Sequence, residues 1–261
     1  MLEVTTAGGV QTWTMSFAPV NAIDPSFMDA MESALDAALA DTSVAVVVIA
    51  SGLRVFSAGA DATWMKGVVD EHGPERLLDE FKLTMDRFRE LCIRMRRSDI
   101  LFVAALGGHT LAGGLELAAA CDLRFAAEHP KIQIGASEMK LFGVMPSGGG
   151  GAQFIARLMG PARALNFILE AENVGPTRAM ELGLVERLYA PEALLSETDA
   201  FAVRIAAQAG RIGIGAAKRS ILDAETLPIY EALEVDRIVH WDSMRRGGFL
   251  PGVEAFVKQF G

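Results

Sequence analysis

Apolar positions follow two different rhythms along the chain. Trp13, Met15 and Phe17 alternate with Thr12, Thr14 and Ser16, the period of two that turns one face of a strand toward a core. Asp24-Pro25 then reads as an N-cap with proline at the first helical position. Phe27, Met31, Leu35 and Leu39 follow four residues apart, which predicts a helix that buries one stripe and ends near Asp41. Residues 44–50 are unbroken apolar sequence, as in a strand covered on both faces. Strand, helix and strand make a crossover unit.

The alternation repeats further on. Residues 75–97 read as a long helix carrying both charge signs, preceded by a polar loop at Glu71-His72-Gly73-Pro74. Residues 100–106 form a second buried strand that runs through Gly107 and Gly108 into the helical segment 111–122. Residues 122–126 resume extended structure, and 132–134 alternate briefly. A glycine-rich run, 143–151, precedes a buried helix at 152–159 that Gly160-Pro161 ends. Beyond it the pattern is helical at 162–169, 176–182, 193–208, 216–224, 229–245 and 253–260, with one strand at 184–189. The expected layout is α/β, a core over residues 1–195 and a helical region over 196–261 whose apolar stripes pack on the core or on a neighbouring subunit.

Composition narrows the partners. The 261 residues suffice for a substantial core, and 51% are hydrophobic. The net charge of −9 argues against nucleic acid. Cys92 and Cys121 stand far apart, without a CxxC companion, so neither a disulfide framework nor a metal site is expected, and a cytoplasmic setting fits. The start, Met1-Leu2-Glu3-Val4, lacks a secretory pattern, and no window resembles a membrane span.

Two stretches hold the candidate chemistry. In Leu111-Ala112-Gly113-Gly114-Leu115-Glu116 a helix opens on a glycine pair, so its first N–H groups are unobstructed at the positive end of the helix dipole. They could hold an anion, or the glycines could serve only close packing. Glu116 is a carboxylate among apolar neighbours, and buried carboxylates need partners or a task. Residues 51–61 supply small residues at a strand's carboxyl end, where open α/β sheets bind ligands, yet they fit neither a Walker loop nor a dinucleotide loop. His72 reads as a solvated residue and His109 as a structural hydrogen-bonding one. Ser147 lacks the Gly-x-Ser-x-Gly elbow of a nucleophile.

Taken together, Asn21-Ala22-Ile23, Phe56-Ser57-Ala58-Gly59-Ala60-Asp61, Ala112-Gly113-Gly114-Leu115-Glu116-Leu117-Ala118 with Cys121-Asp122, Glu138, Pro146 with its glycines, and Gly183-Leu184-Val185 resemble the crotonase superfamily of enoyl-CoA hydratases and isomerases. The resemblance implies a core of repeated ββα units and a carboxyl-terminal helical region that makes trimer contacts, giving a trimer or a pair of stacked trimers with Ile238, Trp241 and Phe249 as anchors. It implies a CoA thioester as substrate, and the two small-residue loops and the lack of clustered metal ligands add the expectation of no cofactor beyond that CoA and no metal. Ala60 and Gly113 would supply the two N–H groups of an oxyanion hole, and Glu116 and Glu138 the paired carboxylates of a hydratase. Arg54, Ala58, Asp61, Gly114 and Phe142 would contact substrate, and the 75–97 helix with the loop before it would wall the acyl end. Isomerase, lyase or hydrolase chemistry of the same superfamily is the alternative. A silent acyl-CoA-binding homologue is the non-enzymatic one, since fold alone does not establish activity. The chain departs from the family pattern in three respects: Thr110 and Ala112 replace the alanine and glycine usual before Gly113, the spacing from Glu138 to Pro146 is one residue longer, and the basic residue usual just before the Asn21 segment is missing.

Overall fold

The structure, a computed structural model, describes residues 1–144 and 148–260; Pro146 and Ser147 lie outside the described residues. The chain opens with a hairpin, β1 (Leu2–Ala7) and β2 (Val10–Met15), whose two linking glycines, Gly8 and Gly9, have φ of 58° and 79°. Positive φ at both positions is what a tight hairpin turn requires. Helix α1 (Pro25–Ala40) follows, capped by Asp24, whose carboxylate accepts the Phe27 N–H. It buries Phe27, Met31 and Leu35 as their spacing predicts and stops at Asp41.

Three similar units come next, each with a strand, a shorter strand and helix. The first is β3 (Val46–Ser51) and β4 (Val55–Ser57) with α2 (Ala62–His72) and α3 (Pro74–Arg97). The second is β5 (Leu101–Leu106), β6 (His109–Leu111) and α4 (Gly113–Ala120), and the third β7 (Leu123–Ala127), β8 (Ile134–Gly135) and α5 (Glu138–Phe142). Then come α6 (Gly151–Met159), α7 (Pro161–Glu170), β9 (Asn173–Val174), α8 (Pro176–Glu181), β10 (Arg187–Tyr189), α9 (Leu194–Thr226), α10 (Ile229–Arg246) and α11 (Phe249–Phe260).

The longer strands build one sheet in the order β1-β2-β3-β5-β7-β10, and the shorter ones a second, β4-β6-β8-β9. Every pairing in the large sheet beyond the β1–β2 hairpin is parallel, and Val46 to Ile49 are fully buried. This is the expected crotonase-type ββα repetition.

The structure corrects several local expectations. Glu71 and His72 are not a loop but the end of α2, and only Gly73, at φ 86°, separates that helix from Pro74 at the start of α3. The β2 strand stops at Met15, and Phe17 instead packs in the turn against Phe27, ring centres 5.0 Å apart. Segments 193–208 and 216–224 are one helical element, α9, broken at Gly210, which has φ 57° and ψ 179°. Thr198, Phe201 and Ala202 of its first half are buried against the large sheet. Among the described residues no helix is long and apolar enough to cross a membrane.

Candidate active site

The small sheet explains why distant segments meet. Strands β4, β6 and β8 lie side by side and parallel, with Ser57 opposite Thr110 and Thr110 opposite Ile134. Their carboxyl ends therefore open on one side, and the residues that follow each strand are Ala60, Gly113 and Glu138. Three elements of the motif pattern converge because three parallel strands end together.

The loop after β4 is held by the Asn21 segment. Asn21 is fully buried; its amide donates to Ser51 Oγ and to the Val55 and Phe56 carbonyls, while its Oδ1 accepts the Phe17 N–H at 2.7 Å. Ser57 Oγ donates back to the Asn21 carbonyl at 2.8 Å. Ile23 then pairs with Ala60, donating to the Gly59 carbonyl and accepting from the Asp61 N–H. That pairing uses the N–H groups on either side and turns the Ala60 N–H away from Ile23.

Across from it, Ala112 takes φ 52° and ψ −128° as the N-cap of α4. Its carbonyl accepts the Leu115 and Glu116 N–H groups, and Gly113 opens the helix. A side chain on Gly113 would meet Ile23 at 3.0 Å and the Gly59 Cα at 3.3 Å, and would lie 3.9 Å from the Ala60 nitrogen. The two N–H groups thus sit beside each other, and among the described residues neither donates to a protein acceptor. Gly114 serves packing: a Cβ there would come within 2.4 Å of the Ser57 carbonyl oxygen.

Glu116 lies one turn into α4, buried at 3% exposure, and its Oε2 accepts the Gly149 N–H at 2.6 Å. The glycines of the 148–151 segment allow this approach. A Cβ on Gly151 would fall 2.4 Å from Glu116 Cγ, and one on Gly149 would strike the Phe88 ring. Glu138 begins α5 and is also buried. Burial pushes its carboxyl up to about 7, and the nearby Glu116 charge pushes in the same direction. Its Oε2 has no hydrogen-bond partner among the described residues. Two buried carboxyls and a pair of unused N–H groups, carried by segments that follow neighbouring strand ends, have the chemistry to exchange protons with a carbonyl compound and stabilise charge on its oxygen.

The other candidates are placed as follows. Arg54 is exposed in the β3–β4 loop and Ala58 half-buried in the next one. The Asp61 carboxylate caps α2 by accepting the Thr63 and Trp64 N–H groups at 2.7 and 2.9 Å. Phe142 is exposed at the end of α5. His109 Nδ1 accepts the Gln133 N–H at 3.2 Å, and His72 lies near Glu71 on the surface. A cleft of about 1450 Å³ between α3, α6, α9 and α10 reaches Gly149 and Gly150, but its lining contains none of Ala60, Gly113 and Glu138. Among the described residues no three His, Cys, Asp or Glu side chains form a metal-binding group.

Comparison with known proteins identifies the family. The family model described as enoyl-CoA hydratase/isomerase matches residues 5–259. A probable enoyl-CoA hydratase of Rhizobium meliloti is 31% identical over 240 residues, covering 92% of this chain and 88% of that protein. A fatty acid oxidation complex subunit alpha of Shewanella frigidimarina is 33% identical over 180 residues, covering 69% of this chain but 24% of that longer protein. A crystal structure of an enoyl-CoA hydratase from Geobacillus kaustophilus superposes with a TM-score of 0.88 at 29% identity, covering 99% of this chain and 94% of that one. With a matching model over nearly its whole length, the chain belongs to the enoyl-CoA hydratase/isomerase family of the crotonase superfamily.

Proposed function

We propose that the protein catalyses reversible addition of water to a 2-enoyl-CoA thioester. The observation that carries this reading is the pair of buried glutamates, Glu116 and Glu138, on the segments that follow the neighbouring parallel strands β6 and β8. Double-bond migration can proceed with one group that moves a proton. Hydration profits from two that hold a water between them.

In this mechanism the thioester oxygen lies against the Ala60 and Gly113 N–H groups. Glu116 takes a proton from water as the water oxygen bonds to the β-carbon, and the π electrons move to the thioester oxygen as an enolate. Glu138 then protonates the α-carbon, and the two carboxyls return to their starting states by exchange with solvent. A preorganised oxyanion donor contributes about 10²–10³ in rate. A Glu138 carboxyl that keeps its proton to near neutral pH suits delivery to carbon. Substrate contacts are assigned to Arg54 at the CoA phosphates and Ala58 at the adenine, with Asp61 and Gly114 shaping the backbone that faces the substrate and Phe142 as a further contact. The reaction calls for no cofactor beyond the CoA of the substrate. The working form is a trimer or a pair of trimers, a reading supported by Ile238, Trp241 and Phe249, which a single chain leaves exposed.

Exchange of each glutamate separately for glutamine tests the assignment. Both variants should still bind acyl-CoA by calorimetry and should lose hydration by about 10²–10⁴. Full hydratase activity in Glu138→Gln would reduce Glu138 to a structural carboxyl and favour an isomerase.

A further inference from the structure

Glu138 is carried by a helix of one turn and a half, α5, joined to the core through the two-residue strand β8. Such a short helix has little stability of its own, so something outside it must fix where the carboxyl points. Ser137 occupies its N-cap position but makes no side-chain cap bond. Its hydroxyl donates instead to Asn173 Oδ1 at 3.0 Å, while its carbonyl accepts the Leu141 N–H at 3.1 Å.

Asn173 is held over this spot by the β8–β9 pairing, in which Gly135 faces Asn173 and Ile134 faces Val174. The approach is closer than any side chain at position 135 permits. A Cβ on Gly135 would come within 2.0 Å of Asn173 Oδ1 and 2.6 Å of the Glu172 carbonyl oxygen. Glu138 itself has one carboxyl oxygen buried without a hydrogen-bond partner among the described residues.

We propose that Asn173 is a positioning residue for Glu138, acting through the Ser137 hydroxyl to set the start of the helix that aims the glutamate at the substrate. The assignment rests on the hydratase reading for its effect on rate, but not for its effect on Glu138. A contact of this kind acts by geometry, and a shift of about 1 Å in a reacting group can cost up to about 10² in rate.

The test is a double-mutant cycle of Asn173→Ala and Ser137→Ala on the full chain, with thermal melting to verify that each variant is folded. Each single variant should lower kcat for hydration about tenfold and leave KM within twofold. The double variant should be no worse than either single one, because both remove the same link. The second readout is a carbon-13 NMR titration of the Glu138 carboxyl, identified by its absence in Glu138→Gln. In Asn173→Ala the midpoint should fall from its raised position toward the ordinary glutamate range, as a loosened helix start admits water. Unchanged kcat in both single variants, losses that multiply in the double variant, or an unmoved Glu138 titration would overturn the assignment. A folded wild-type protein that hydrates no enoyl-CoA, yet shows the titration change on Asn173→Ala, would leave the positioning intact and remove the hydratase reading.

Discussion

At the residue scale, the two glutamates differ in how they are held. Glu116 is fastened by the Gly149 N–H, whereas Glu138 is kept from water without a full set of partners. A carboxyl raised from 4.5 to about 7 by burial binds protons more tightly folded than unfolded, so folding stability must fall as pH rises between those values. Below that window both states are protonated and nothing is lost; above it the penalty is complete, at most roughly 3 kcal/mol. Glu138→Gln removes the penalty. Urea unfolding should find this variant no different from wild type near pH 4.5 and more stable by up to that amount at pH 8, whereas a gain independent of pH would contradict the burial of Glu138. Glu116 stood out as a carboxylate among apolar residues and Gly113 as a glycine opening a helix, whereas Ala60 and Glu138 were picked out only by their place in the family pattern. The Asn21 hub and the Ser137–Asn173 link were not legible, since each is a bond to partners whose proximity only the folded chain creates.

At the scale of elements, the strongly apolar strands and the striped helix α1 could be read from sequence because burial on one or both faces leaves a period. Strand β1 left none: five of its six residues are exposed. Helix α2 buries only Val68, so its one clear signal was the Asp61 cap, easily taken for part of a loop. The two-residue strand β9 is too short for any period, although it frames the Glu138 segment. The attachment of α9 to the core was equally hidden. Lys218 Nζ donates to the Met95 and Ile100 carbonyls and pairs with Asp122 at 2.8 Å, while Asp122 also accepts the Phe102 N–H. Burial holds the Asp122 carboxyl up and the Lys218 ammonium down from their ordinary values. The Cys121-Asp122 portion of the motif therefore ties the carboxyl-terminal helices to the sheet. Lys218→Met, which strands a buried carboxylate, should cost about 3 kcal/mol in denaturant unfolding, and adding Asp122→Asn should recover part of it. A loss below about 1 kcal/mol would show that the pair does not tether α9.

At the scale of the molecule, the small sheet is what turns separate motifs into one site, by ending β4, β6 and β8 side by side. The carboxyl-terminal helices α10 and α11 expose Tyr230, Leu250 and Trp241, and clustered exposed apolar residues mark interaction surfaces. Light scattering should give a mass that is three or six times the 27.9 kDa of one chain, and a monomer would contradict the assembly. The central claim concerns chemistry. Purified protein should be incubated with 2-enoyl-CoA thioesters of increasing chain length and the products weighed by mass spectrometry. At least one thioester should become heavier by the mass of one water, with labelled oxygen from the solvent at its β-carbon. If every thioester is recovered unhydrated, or only with its double bond moved, the hydratase account is wrong.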